Sequence, residues 1–232
     1  MAAAVQVIIA RYREDIAWAE SLGYNYIVYD KGGNNDPTAR NLKNIGREGH
    51  TYLTHIVREY DRLADMNIFL QGDPFDHIHD QGRATVDILR GQLEEAIRRM
   101  APFKGLAWFK LKCDALGRPH DLRKPGNRGR WAGWGKDIPL GETFERLFGA
   151  PMPGQIIARA ATGNFCVTGE RIRTRPKAFY EYALSLIEAD AQDENNTGHA
   201  FERLWQHVFN GNTAWNRDRY DPVHGAGPPD RG

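Results

Sequence analysis

Cysteine is nearly absent: two residues, Cys113 and Cys166, in a chain of 232. That excludes a disulfide framework, and because each lies in an apolar stretch, a reduced and packed thiol is expected, which suits a reducing compartment. No run of about eighteen apolar residues occurs, so no membrane-spanning helix is predicted. Neither sign of charge is in excess. Thirty-one basic and 30 acidic residues leave a net charge of +1, so no overall field singles out nucleic acid or a membrane surface as partner. The N-terminal MAAAVQVIIARYRED has an apolar run, but it lacks a basic n-region and is interrupted by Gln6, which predicts a first strand and not a signal peptide. Together these absences predict a soluble, cytoplasmic protein. No internal repeat is visible.

The residues that are there suffice for a substantial core, with 41% hydrophobic content, and the length suits one large domain. VQVIIARY (5 to 12) is rich in β-branched residues, and IAWAESL forms a short helix ending at Gly23. YNYIVYDKGG (24 to 33) reads as a second strand, followed by the polar loop NNDPTARNLKNIGREG. In HTYLTHIVREYDRL, Leu53, Ile56, Val57 and Tyr60 fall at helical spacing, and MNIFL follows as a third strand. Strand, helix, strand, helix, strand predicts an α/β layered fold with a mostly parallel sheet.

Further along, TVDILRGQLEEAIRRM (85 to 100) is an amphipathic helix and GLAWFKLKC a candidate strand. The basic, Gly-rich DALGRPHDLRKPGNRGRWAGWGKDIPLGE reads either as a long surface loop or as an acceptor-binding lid. IIARA and NFCVTG read as strands, Pro176 opens the helix PKAFYEYALSLIEA, and HAFERLWQHVF forms a last helix closed by Asn210-Gly211. The domain is expected over residues 1–213, with a flexible tail over 214–232.

In an open α/β sheet ligands collect outside the carboxyl ends of the strands. The loops there supply Arg11 and Arg13, Asp30 and Lys31, then Gln71, Asp73, Asp76, His77 and His79. This set suits a polyanionic ligand with a divalent cation: carboxylates at 73 and 76 are hard donors for Mg²⁺ or Mn²⁺, and Arg and Lys are phosphate counter-charges. Asp73-Pro74 reads equally as a turn initiator. His77 and His79 form an HxH pair, which is two ligands short of a zinc site. In the last helix His199, Glu202, Arg203 and Gln206 form a polar stripe that faces water, unless the helix points into the crevice, where Glu202 would serve as a general base.

The pattern N-x-GREGHTYL, FLQG and Pro within NIGREGHTYLTHIVREYDRLADMNIFLQGDP (44 to 74) resembles a family known as a domain of unknown function. The resemblance extends to ARYRED, VYDKG, GNFCVTGERI and FERLW. That family in turn distantly resembles GT-A fold glycosyltransferases, in which a strand ends in an Asp-x-Asp metal motif. The resemblance implies a GT-A-like (Rossmann-like) architecture and a nucleotide-sugar donor held by Arg11, Arg13, Asp30, Lys31, Arg47 and Gln71. It further implies a divalent cation (Mn or Mg) at Asp73 and Asp76, with Gln71 replacing the first acid of the motif. Asp73 and Glu202 take the catalytic roles, and His207 or His224 completes the metal shell.

The expected function is therefore glycosyl transfer from a nucleotide sugar to a hydroxyl acceptor. The basic, aromatic segments KLKCDALGRPHDLRKPGNRGRWAGWGK and ERIRTRPK admit a hydroxylated base in DNA as that acceptor. Protein, glycan and small-molecule acceptors fit equally. Two alternatives stand beside it: a metal-dependent phosphoesterase or nuclease using Asp73, Asp76, His77 and His79, and a non-catalytic sugar- or nucleotide-binding module, which Gln71 favours.

Overall fold

Four consecutive buried positions in the first strand already require a sheet covered on both faces. In the computed structural model, which describes residues 3–34, 36–118, 137–159, 162–192 and 194–210, β1 (Val5–Arg11) is the centre of that sheet. It pairs in parallel with β2 (Asn25–Asp30) on one side and with β4 (Met66–Gln71) on the other. The short β3 (Arg40–Asn41) adds to β2, also in parallel. Beyond β4, β8 (Phe165–Thr168) runs antiparallel and carries β5 (Phe103–Gly105) at the edge. The strand order is β3-β2-β1-β4-β8-β5. The sheet is mixed and mostly parallel, and with helices on both faces it forms a single-domain α/β, Rossmann-like fold.

Side-chain alternation divides the core in two. Val7 and Ile9 of β1, with Ile68 and Leu70 of β4, face α2 (Val86–Arg98) through Leu89, Leu93 and Ala96. Thr85 caps that helix, accepting from the Ile88 amide at 3.3 Å. Ile8 and Ala10 point the other way, into an aromatic-rich layer built by α1 (Arg47–Glu59), α3 (Leu140–Phe148), α5 (Lys177–Ala189) and α6 (Thr197–Asn210). Its centre is Trp205, fully buried against Tyr52, Phe165 and Phe209. Truncating such a side chain to Ala costs about 3–5 kcal/mol. Gly46 admits α1 to this layer: its φ is +55°, and a Cβ there would stand 1.9 Å from Cγ2 of Ile187 on α5.

Three local expectations are corrected. GLAWFKLKC is not one strand: residue 105 ends β5, whereas β6 (Leu111–Cys113) leaves the main sheet to pair with β7 (Ile156–Ala158) in a two-stranded ribbon. The PLGE end of the Gly-rich stretch is not loop, because α3 begins at Leu140 and buries Leu140, Phe144, Leu147 and Phe148. The polar stripe of α6 does not face water. Glu202 and Arg203 are each only 9% exposed, since α6 is wedged between α1, α3 and the strand layer. The short α4 (Gly169–Arg173) links β8 to α5. Residues 119–136 and the tail from 211, with His224, lie outside the described residues.

Candidate functional site

The parallel register aligns three strand ends. Arg11 lies opposite Asp30, and Ala10 opposite Gln71, so the loops that follow β1, β2 and β4 open on one side of the sheet. A cavity of about 350 Å³ lies there, with Arg11, Lys31, Arg47, Glu48, Gln71 and Asp73 in its wall. Five of these were expected from the sequence. Glu48 was not.

Asp30 acts on the loop and not on the cavity. Its carboxylate, 1% exposed, accepts from the amides of Gly32 at 2.8 Å and Asn34 at 2.7 Å and from the Asn34 side chain. Burial pushes its pKa up, but those hydrogen bonds and the Arg11 charge outweigh it and hold the carboxyl below the usual range. Lys31 donates to the carbonyls of Ile45 and Arg47, bracing the entry to α1. Arg11 donates through Nε to the Glu14 carbonyl at 3.0 Å and lies 3.5 Å from Asp36. Arg13 lies outside the wall, its guanidinium 4.9 Å over the Tyr12 ring. Arg47 is the exposed cation of the set, held at a φ of +51° directly after Gly46. A left-handed non-glycine residue at a cavity rim is backbone strain of the kind that collects at functional sites.

Gln71 is tied to the turn before β8: its amide donates to Asn164 Oδ1 at 2.9 Å, and Asn164 Nδ2 donates back to Gln71 Oε1 at 3.3 Å. Asp73 accepts from the Phe75 amide at 3.3 Å, as a turn initiator does. Both its oxygens also receive Arg83 at 2.8 Å, and the other arm of that guanidinium reaches Asp76 at 2.6 Å. His77 packs edge-on against Phe109, and His79 is 3.9 Å from Asp80. Among the described residues no three His, Cys, Asp or Glu side chains converge as metal ligands. Asp73 and Asp76 are two carboxylates already sharing one cation, so as arranged these residues do not fit a divalent ion. His207 packs against Phe144, and burial followed by the Arg175 charge lowers its pKa.

Beneath the cavity lies a pair of acids. Glu202 of α6 meets Glu48 in the first turn of α1; burial first, then the Glu48 charge, pushes the Glu202 carboxyl well above the usual range, and the hydrogen bond that protonated Glu202 donates to Glu48 adds to the effect. Arg203, whose guanidinium is 3.8 Å from Glu202, only partly offsets this. Oε1 of Glu48 and the Tyr52 hydroxyl are buried without a hydrogen-bond partner, although such groups are ordinarily satisfied. A carboxyl that keeps its proton beside a second acid is an arrangement that suits acid-base chemistry. The acid two residues after an Asn-x-Gly turn hinted at Glu48, but only the arrival of α6 explains why it matters.

The family model described as "Protein of unknown function (DUF3431)" matches residues 7–221. No curated protein and no solved structure matches the chain. No helix among the described residues is long and apolar enough to cross a membrane. With its model spanning nearly the whole sequence, the chain belongs to the DUF3431 family of proteins of unknown function.

Proposed function

We propose that the chain is a glycosyltransferase that moves a sugar from a nucleotide-sugar donor to a hydroxyl acceptor. One observation carries this reading: a cavity at the carboxyl ends of three parallel strands combines cations, Arg11, Lys31 and Arg47, with the buried carboxyl pair Glu48–Glu202. The donor diphosphate lies against the cations. The bond from the sugar's anomeric carbon to the diphosphate breaks, its electron pair leaving with the diphosphate, and a bond to the acceptor oxygen forms. The acceptor proton passes to Glu48, the member of the pair in the cavity wall, while Glu202 keeps its own proton. Cationic stabilisation of the leaving group is the larger contribution. No step is routed through a metal, because Arg83 already holds Asp73 and Asp76.

Both thiols are free and buried, and burial pushes Cys166 up to about 12. Inert thiols of this kind suit a reducing cytoplasm. The test is thermal stabilisation by a panel of nucleotide sugars with and without Mn²⁺, followed by assay of released nucleoside diphosphate. Stabilisation lost in Arg47→Ala, with diphosphate release lost in Glu48→Gln, supports the transferase. Binding without any turnover supports a sugar-binding module instead, which the Gln71–Asn164 amide pair favours. Phosphoester cleavage without a donor supports a phosphoesterase.

A further inference from the structure

A second and larger cavity, about 640 Å³, opens beside the edge strand β5, with Lys104, Trp108, Phe109, Lys110, Arg159 and Gln206 in its wall. Trp108 is 57% exposed, far more than a ring of that size needs to be. Its backbone is nevertheless fixed: the Leu106 amide donates to the Asn164 carbonyl at 2.9 Å and the Trp108 amide to the His77 carbonyl at 3.1 Å. Phe109 stands edge-on to it, centroids 5.4 Å apart. An aromatic surface held open on a braced loop is a stacking platform.

The charge in the wall is of one sign. Lys104 is paired with Glu95 at 2.8 Å, but Lys110 and Arg159 make no ion pair among the described residues, and no acid is found among the described residues of the wall. Oε1 of Gln206 is buried without a partner. Gln206 lies one helical turn beyond Glu202 on α6, so one face of that helix carries both the acid pair and a wall of this cavity. Asn164, which holds Gln71 at the first cavity, also anchors the loop of the second.

We propose that this second cavity is the acceptor site and takes a nucleotide, its base stacked on Trp108 and its phosphate against Lys110 and Arg159. The acceptor role rests on the transferase reading; nucleotide binding here does not. The experiment titrates the full chain with adenosine 5′-monophosphate and, separately, with a short single-stranded deoxythymidine oligomer, following binding by isothermal titration calorimetry. Trp108→Ala is expected to weaken binding roughly 5- to 150-fold, the equivalent of one stacked base, whereas Trp108→Phe retains most of it. Arg159→Ala and Lys110→Ala each weaken it and flatten its dependence on salt. Arg98→Ala, an exposed cation on α2 in the wall of neither cavity, leaves it unchanged. Tighter binding of the oligomer assigns the site to a strand, and equal binding to a free nucleotide. Absence of binding by both ligands, or wild-type affinity in Trp108→Ala, overturns the proposal. If Trp108-dependent binding persists while no nucleotide sugar stabilises the protein, the transferase reading fails and the binding site stands.

Discussion

Gly163 lies so close to Glu48 that a Cβ on the glycine would stand 2.6 Å from Oε1 of the carboxylate. Its φ of +72° is in the left-handed region as well, so the turn before β8 meets the acid pair along a surface that admits no side chain. The acid therefore lies under a backbone lid, between α1, α6 and that turn, with its open side toward the cavity.

Gly163→Ala is accordingly expected to destabilise the protein by about 1–3 kcal/mol, from backbone strain together with displacement of Glu48. Urea denaturation measures it. If donor binding is tied to the position of Glu48, nucleotide-sugar stabilisation falls along with it.

Glu202→Gln replaces a carboxyl that keeps its proton with a neutral group of the same shape. The folded-state pKa of Glu202 is raised above its ordinary value of 4.5, so its contribution is fully present below that pH and is lost as the pH rises toward the folded value. As the pH rises above about 4.5 the wild type should lose stability relative to Glu202→Gln, at up to about 1.4 kcal/mol per pH unit. Parallel stability curves for the two proteins would refute the retained proton on Glu202.

Two buried histidines, His50 and His55, and the half-buried His199 work in the opposite direction. Burial lowers His50 to about 4, with the Lys31 charge adding to it. Burial also lowers His55 to about 4, where its Nδ1 meets the Tyr29 hydroxyl at 3.1 Å. His199 falls to about 3 through burial and then the charges of Arg47 and Arg203. Their neutral forms belong to the folded state, so the stability they contribute is complete above pH about 6.5 and is lost as the pH falls toward about 4. The melting temperature should drop steeply over that window, and His55→Gln should flatten the drop.

Arg83→Ala releases Asp73 and Asp76. These groups are 40–62% exposed, so folding stability should change by only about 1 kcal/mol or less. Calorimetry with Mn²⁺ should detect little binding to the wild type and measurable binding to Arg83→Ala. Strong Mn²⁺ binding to the wild type, abolished in Asp73→Ala, would show that the metal displaces the guanidinium.

Much of the fold is legible in the linear order. The β-branched run 5–12, MNIFL and the periodic apolar residues of α1, α2 and α5 each mark an element, because burial on a sheet or helix face imposes period 2 or 3.6 on the chain itself. The strand ends bearing Arg11, Asp30 and Gln71 follow from those boundaries and the parallel topology. The split of GLAWFKLKC between two sheets is not legible, since a short apolar run does not say which neighbour it will pair with.

Residue order therefore determined which side of the sheet carries the polar loops, and that Arg11, Lys31, Arg47 and Asp73 would gather there. Only tertiary packing decided what each does: it turned Asp30 onto loop amides, gave Asp73 to Arg83, and buried Glu202 against Glu48. Periodicity reports a side chain's direction relative to its own element. Protonation and pairing depend on what arrives from elements over 100 residues away, as α6 does at α1, and no local pattern records that meeting.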